Sequence, residues 1–341
     1  MFIFNHKNQA KDSPAHSMMF LILIFLMASC APPAPVTVTS TSTGQLQPTA
    51  IVAVTPTPGI GSTQVSPKDD MVMIFVPAGE FKMGGYVGDA SDSMPVHAVY
   101  LDAFWIDRTE VTNEMFAKFV ESDGYVTDAE KAGSSNDFRT VNREIIWEKV
   151  EGLDWDHPDG KKSSISGLEE HPVVHVSWND ANAYCFWAGR RLPTEAEWEK
   201  AASWNDLTGE KYIYPWGNSF DEMLLNFCDK NCAYDFATKH LDDGHAGTSP
   251  VGSFPGGASP YGALDMSGNV MEWVADWYSA DYYQTSPASN PLGPDSGQQR
   301  VSRGGAWATN DYYVSSARRF AWDHPFQHRA LGFRCALGTS P

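Results

Sequence analysis

From about residue 205 to its C-terminus this chain shows no sustained helical or strand periodicity. Gly, Asp, Asn and Trp dominate there instead. Loops of that length are uncommon inside a compact domain unless something staples them. The 28 Gly and 22 Pro among 341 residues speak for many turns and against long helices. The 12 Trp, 13 Tyr and 18 Phe supply ample apolar area for a core. Disulfides and metal ions are the available staples, and five cysteines are present: Cys30, Cys185, Cys228, Cys232 and Cys335.

Charge narrows the partners. The formal net charge is −18, with 42 acids against 24 bases. So acidic a surface repels phosphate backbones, which excludes nucleic acid as the expected partner. Bound divalent cations fit the balance, and so does plain solubility.

The N-terminal fifth of the chain divides by composition. "MMFLILIFLMAS" (18–29) is an apolar run of about a dozen residues, too short to span a bilayer and suited to a signal peptide over 1–29. Small residues before Cys30 resemble a bacterial lipobox, although Met27 stands where Leu is usual. Either Cys30 is lipidated and anchors the chain to a membrane, or an ordinary signal peptide ends beside an incidental cysteine. Ala31 to Pro67 carries no charged residue and is rich in Pro, Thr and Ser. That composition reads as a flexible tether over 30–68, which favours the anchor. The folded domain is expected over 69–341.

Local patterns within it are sparse. "MVMIFVPAGEFKMG" (71–84) reads as two short strands around a Pro-Ala-Gly turn, and "VHAVYLDAFWID" (96–107) as more strand. Helices are expected after Val111-Thr112, after Ser177 and from Thr194. Thr194-Glu195-Ala196-Glu197 has the capping-box pattern, so its carboxylates read as cap and dipole chemistry. His171 and His175 fall on a strand-like segment, and His324 and His328 near a proline; both pairs read as structural hydrogen-bonders. Phosphate loops, Gly-x-Ser-x-Gly elbows and His-Glu-x-x-His patterns do not occur.

Eight phrases recur in order: "FWIDRTEVTNEMFAKFV", "GYVTDAEKAG", "HPVVHVSWNDANAYCFWAGRRLPTEAEWEKAA", "YPWGN", "GTSPVGSFP", "YGALDMSGNVMEWVADWY", "RVSRGGAW" and "ALGFRCA". Together they resemble the formylglycine-generating enzyme, or sulfatase-modifying factor, family from about Met71 to Leu337. The resemblance implies an α+β fold: a loop-rich single domain related to the C-type lectin fold. It also implies oxidation of a sulfatase cysteine by oxygen at a Cu(I) ion held between two cysteines. Soft thiolates select Cu(I). The matching positions here, after Arg303-Gly304-Gly305, are Thr309 and Val314, and the family's serine after the glycines is Ala306. A hydroxyl is a poor Cu(I) ligand and valine is none, so copper is not expected.

Further expectations follow from the resemblance. Cys185 and Cys335 match a disulfide pair. Asn226, Phe227, Asp243 and His245 match one calcium site, and Asp265, Gly268, Val270 and Glu272 match a second. Side-chain oxygens from Asn226, Asp243, Asp265 and Glu272 with carbonyls from the others make a hard-oxygen set of the kind calcium takes. Asx turns would use the same Asp and Asn residues without an ion. For Cys228 and Cys232 the preferred reading is a bridge closing a small loop. A metal site with His240 and His245 is the alternative, although the gap between the pairs is short. Two functions stand: a tethered, non-catalytic module that binds an extended peptide or protein, which is preferred, or an oxidoreductase modifying a cysteine or another residue of a target such as a sulfatase.

Overall fold

The computed structural model describes residues 57–85, 90–142 and 144–339. The signal peptide, Cys30 and most of the tether lie outside the described residues. In chain order the first strands are β1 (Thr63–Val65), β2 (Val72–Val76), β3 (Gly79–Met83), β4 (His97–Leu101) and β5 (Phe104–Asp107). Helices α1 (Asn113–Asp123) and α2 (Asp128–Ala132) follow, then the hairpin β6 (Ser134–Val141) and β7 (Glu144–Glu151). Next come α3 (Trp178–Trp187), α4 (Glu195–Ser203) and the short pair β8 (Trp204–Asn205) and β9 (Glu210–Lys211). Last are β10 (Met271–Trp277), β11 (Gln299–Arg303), β12 (Phe320–Asp323), β13 (Leu331–Phe333) and β14 (Ala336–Gly338).

The helices start where the caps put them. Thr112 Oγ1 accepts from the Met115 N–H, and Gly124 at φ 63° ends α1. Ser177 with Asp180 and Thr194 with Glu197 form reciprocal capping boxes on α3 and α4. Thr127 and Glu130 form a third on α2, a helix too short for periodicity to reveal.

Two four-stranded sheets organise the strands, in the orders β1-β2-β5-β14 and β12-β11-β10-β13, with β10 and β13 parallel. The strands flanking Pro77-Ala78 form as expected but do not pair together. β2 joins β1 and β5, while β3 pairs with β4. The domain also starts earlier than residue 69, because Thr63 pairs with Ile74 and Ser66 is buried. The change in charge at Lys68 marks composition, whereas strand pairing sets the edge of the fold. Residues 171–176 are not a strand; Pro172 makes a single bridge to Thr112.

The second sheet was hidden in the sequence for a physical reason. β10 is buried at nearly every position, so it shows no alternation of polar and apolar residues. One apolar cluster gathers Phe116, Tyr184, Trp273 and Phe333 around the Cys185–Cys335 disulfide. A second packs Trp198 of α4 against Phe104, Val274 and Val301. The disulfide fixes α3 to the turn between β13 and β14, joining residues 150 apart in sequence.

Candidate functional site

Arg303 ends β11 and anchors everything that follows. It is fully buried, and its guanidinium donates to Glu195 Oε1 at 2.7 Å, to Glu199 Oε2 at 2.5 Å and to the Ser316 carbonyl at 2.7 Å. Glu195 also receives Arg319 at 2.7 Å, and Lys211 reaches Glu199 at 2.6 Å. These cations hold both carboxyls below the usual range against burial, Glu199 at about 2. Of the α4 carboxylates, then, Glu197 is the cap, while Glu195 and Glu199 lock Arg303.

Gly304 and Gly305 follow at φ 95° and 71°. A Cβ on Gly305 would sit 2.9 Å from Val314 Cγ1 and 3.1 Å from Thr309 Oγ1. The side chains of Thr309 and Val314 therefore converge over Gly305, where two thiolates would face each other. Their chemistry is turned elsewhere. Thr309 Oγ1 makes 2.9 Å hydrogen bonds with the N–H and the carbonyl of Ala306. Val314 is fully buried against Leu225 and Phe227. Tyr312 beside it is exposed, and Arg318 stacks on Tyr313 at 4.7 Å.

Cys228 and Cys232 form a disulfide, which removes them as ligands for a metal with His240 and His245. The Cys228 N–H donates to the Thr309 carbonyl at 2.8 Å. Both disulfides fit an oxidising compartment. No described helix is long and apolar enough to cross a membrane.

The residues matched to two calcium sites lie side by side. Asn269 N–H donates to the Asn226 carbonyl at 2.9 Å, and a Cβ on Gly268 would fall 2.2 Å from that same oxygen. Asp243 accepts from the N–H groups of Phe227 and His245, each at 2.8 Å, which gathers the first cluster. Asn226 donates to the Gly247 carbonyl, but its Oδ1 is buried with no partner. Burial pushes Asp243 up to about 6.

In the second cluster Asp265 accepts from Gly252 N–H at 2.6 Å, while Gly268 and buried Val270 sit on the turn into β10. Glu272 is taken up by Arg334 at 2.6 and 2.7 Å and by Trp198 Nε1 at 2.8 Å. Glu110, which sequence reasoning missed, adds a third buried carboxylate. Its Oε1 accepts from Asn269 and its Oε2 has no partner. Burial, then Asp265, raises Glu110 well above the carboxylate range, and burial lifts Asp265 to about 6. Three carboxyl groups share the single guanidinium of Arg334, so Glu110 holds its proton unless a cation takes that proton's place. Among the described residues no three His, Cys, Asp or Glu side chains suffice to hold an ion; carbonyl and amide oxygens would have to supply the rest.

His175 and His328 are built into the packing. His175 bonds Ser135 Oγ at 2.8 Å and the Pro158 carbonyl at 3.1 Å. His328 is enclosed by Phe138, Trp147 and Trp322.

Comparison with known proteins agrees with this architecture. The family model described as Sulfatase-modifying factor enzyme 1-like domain matches residues 60–338. The chain is 40% identical over 311 residues to a formylglycine-generating enzyme of Streptomyces coelicolor, covering 85% of this chain and 95% of that one. It is 37% identical over 291 residues to the mouse protein named inactive C-alpha-formylglycine-generating enzyme 2, covering 80% and 88%. The solved structure of PvdO from Pseudomonas aeruginosa superposes with a TM-score of 0.63 at 24% identity, over 83% of this chain and all of that one. The fold is the α+β, C-type lectin-related one, and the chain belongs to the sulfatase-modifying factor family.

Proposed function

We propose that this chain is a non-catalytic binding module of the sulfatase-modifying factor family, held outside the cytoplasm by a lipid on Cys30 and the tether after it. The observation that carries the reading is the pairing of Thr309 and Val314 over Gly305. The frame of the family's copper site is kept, but one ligand position is a hydroxyl bonded to its own turn and the other is sealed hydrocarbon. Neither binds Cu(I). Relatives at similar identity include both named enzymes and named inactive proteins, so descent alone does not decide activity. The surface left around Tyr312, Tyr313 and Arg318 suits an extended peptide, with aromatic faces and a guanidinium on offer.

Calcium is the metal this reading includes. Asn226, Asp243, Asp265 and Glu272, with carbonyls of Phe227, His245, Gly268 and Val270, would hold two ions, and Glu110 would add charge at the second. The orphaned oxygens of Asn226 and Glu110 fit that role. The ions would act as staples of the loops rather than as reagents.

The test is direct. The purified protein is incubated with Cu(I), oxygen and a Cys-x-Pro-x-Arg peptide, and the peptide mass is followed. Unchanged peptide is expected; conversion of the cysteine to the aldehyde would establish the oxidoreductase reading instead. Intact mass of the membrane-extracted protein should show a diacylglyceryl group on Cys30.

A further inference from the structure

Arg300 lies in β11, and its guanidinium forms no ion pair with a carboxylate among the described residues. Its guanidinium carbon sits 3.7 Å from the Trp178 ring centre and 3.4 Å from that of Trp277, so both faces are covered by indoles. Only the edge can make hydrogen bonds. One goes from Nη1 to the Ala275 carbonyl at 2.7 Å, and Nε has no partner. The residue is 9% exposed. Two indoles offset part of the charge, but they accept no hydrogen bonds in the guanidinium plane.

Arg300 lines a cleft of about 580 Å³, within the range that holds a small organic ligand. The walls are largely apolar: Leu101, Leu192, Pro291, Leu292 and the edge of Trp178. The other charged groups there are paired or face solvent. Arg191 and Glu197 form a two-bond pair, with both distances 2.6 Å. Asp102 keeps its charge, but it is exposed to water and accepts from the Asn290 amide at 2.9 Å. Asp276, the acid nearest in effect, is pushed up to about 8 by burial and by Glu195, which weakens its pull on Arg300. Burial lowers Arg300 only to about 10, so it stays charged.

We propose that this cleft binds a small monocarboxylate with an apolar body, its carboxylate in the plane of the Arg300 guanidinium and its body against Leu192, Pro291 and Leu292. One buried cation without an acid partner calls for one negative charge. A guanidinium open only at its edge matches a planar carboxylate through paired N–H···O bonds. None of the lining residues belongs to the 303–314 segment or to the two candidate cation clusters, so this site stands whether or not the reading of those regions holds.

The experiment titrates the full chain with 3-phenylpropionate, and in parallel with 3-phenylpropan-1-ol and acetate, following tryptophan fluorescence and calorimetric heat. Saturable one-site binding of the acid is expected, with the alcohol and acetate each at least tenfold weaker. Arg300→Met should lose at least tenfold for the acid. Leu292→Glu, at an exposed rim position that leaves the core untouched, should weaken acid and alcohol alike through the lost apolar contact and the acid severalfold more through the added charge. Leu292→Glu decides the matter if Arg300→Met does not fold. Equal binding of acid and alcohol, equal binding of acetate, absence of saturable binding, or indifference to Leu292→Glu overturns the proposal.

Discussion

The main-chain N–H of Cys228 donates to the carbonyl oxygen of Thr309 at 2.8 Å, so the small disulfide loop is fastened to the segment that carries Thr309 and Val314. Phe227, the residue just before that loop, packs on Val314. The disulfide, the first candidate calcium cluster and the segment 305–314 are therefore one mechanical unit.

The two disulfides should differ in weight. By chain entropy the Cys228–Cys232 loop contributes about 2 kcal/mol and the 150-residue Cys185–Cys335 loop about 5 kcal/mol. Urea unfolding of the two paired Cys→Ser variants should show the second far less stable. The reverse order would mean that the short loop's hold on Thr309 matters more than chain entropy.

Thr309→Cys with Val314→Cys should create a Cu(I) site, because both side chains already converge over Gly305. Competition with a chromophoric Cu(I) chelator should show stoichiometric copper in the double variant and none in the wild type. A double variant that folds but leaves copper with the chelator would show that the framing of the site has drifted too.

Calcium stabilisation should depend on pH in a stated direction. Asp243 and Asp265 are both raised by burial to about 6 from an ordinary 3.8. A raised carboxyl adds stability that is complete below about 4 and is lost as pH rises through about 6. A cation that replaces the proton offsets the loss. Millimolar calcium should therefore raise Tm more at pH 7.5 than at pH 5, and Asn226→Ala should remove most of that rise. A calcium shift that grows toward acid would contradict the assignment.

The buried histidines should make the fold acid-sensitive. Burial lowers His175 to about 4 and His328 well below its ordinary value. Between about pH 6.5 and 4 the unfolded chain takes up protons that the folded chain refuses, so stability falls as pH drops. Each histidine contributes about 1.4 kcal/mol per pH unit in that window. His328→Phe, set among Phe138, Trp147 and Trp322, should reduce the slope of unfolding free energy against pH by about one proton. An unchanged slope would show that water reaches the ring. The carboxylates named above are common to both proteins and cancel in the comparison.

Local chemistry could be read from the residues because it acts over three or four positions. Thr112, Ser177 and Thr194 announced their helices, since a cap needs only its own side chain and the N–H groups just ahead. The eight ordered phrases announced the family, and with it the Cys185–Cys335 pair. What depends on distant segments could not be read. The β10-centred sheet lacks alternation because both faces of β10 are covered by other elements, whereas the β6–β7 hairpin is largely polar and part-exposed and so has no apolar face to announce it. Glu110 gave no signal, since a carboxylate is identified as buried only once Asp265, Asn269 and Glu272 surround it. Arg300 looked like any basic residue in a strand. Only the fold closed two indoles over its faces and left its edge without an acid, because charge compensation is a property of what packs together, not of what is adjacent in sequence.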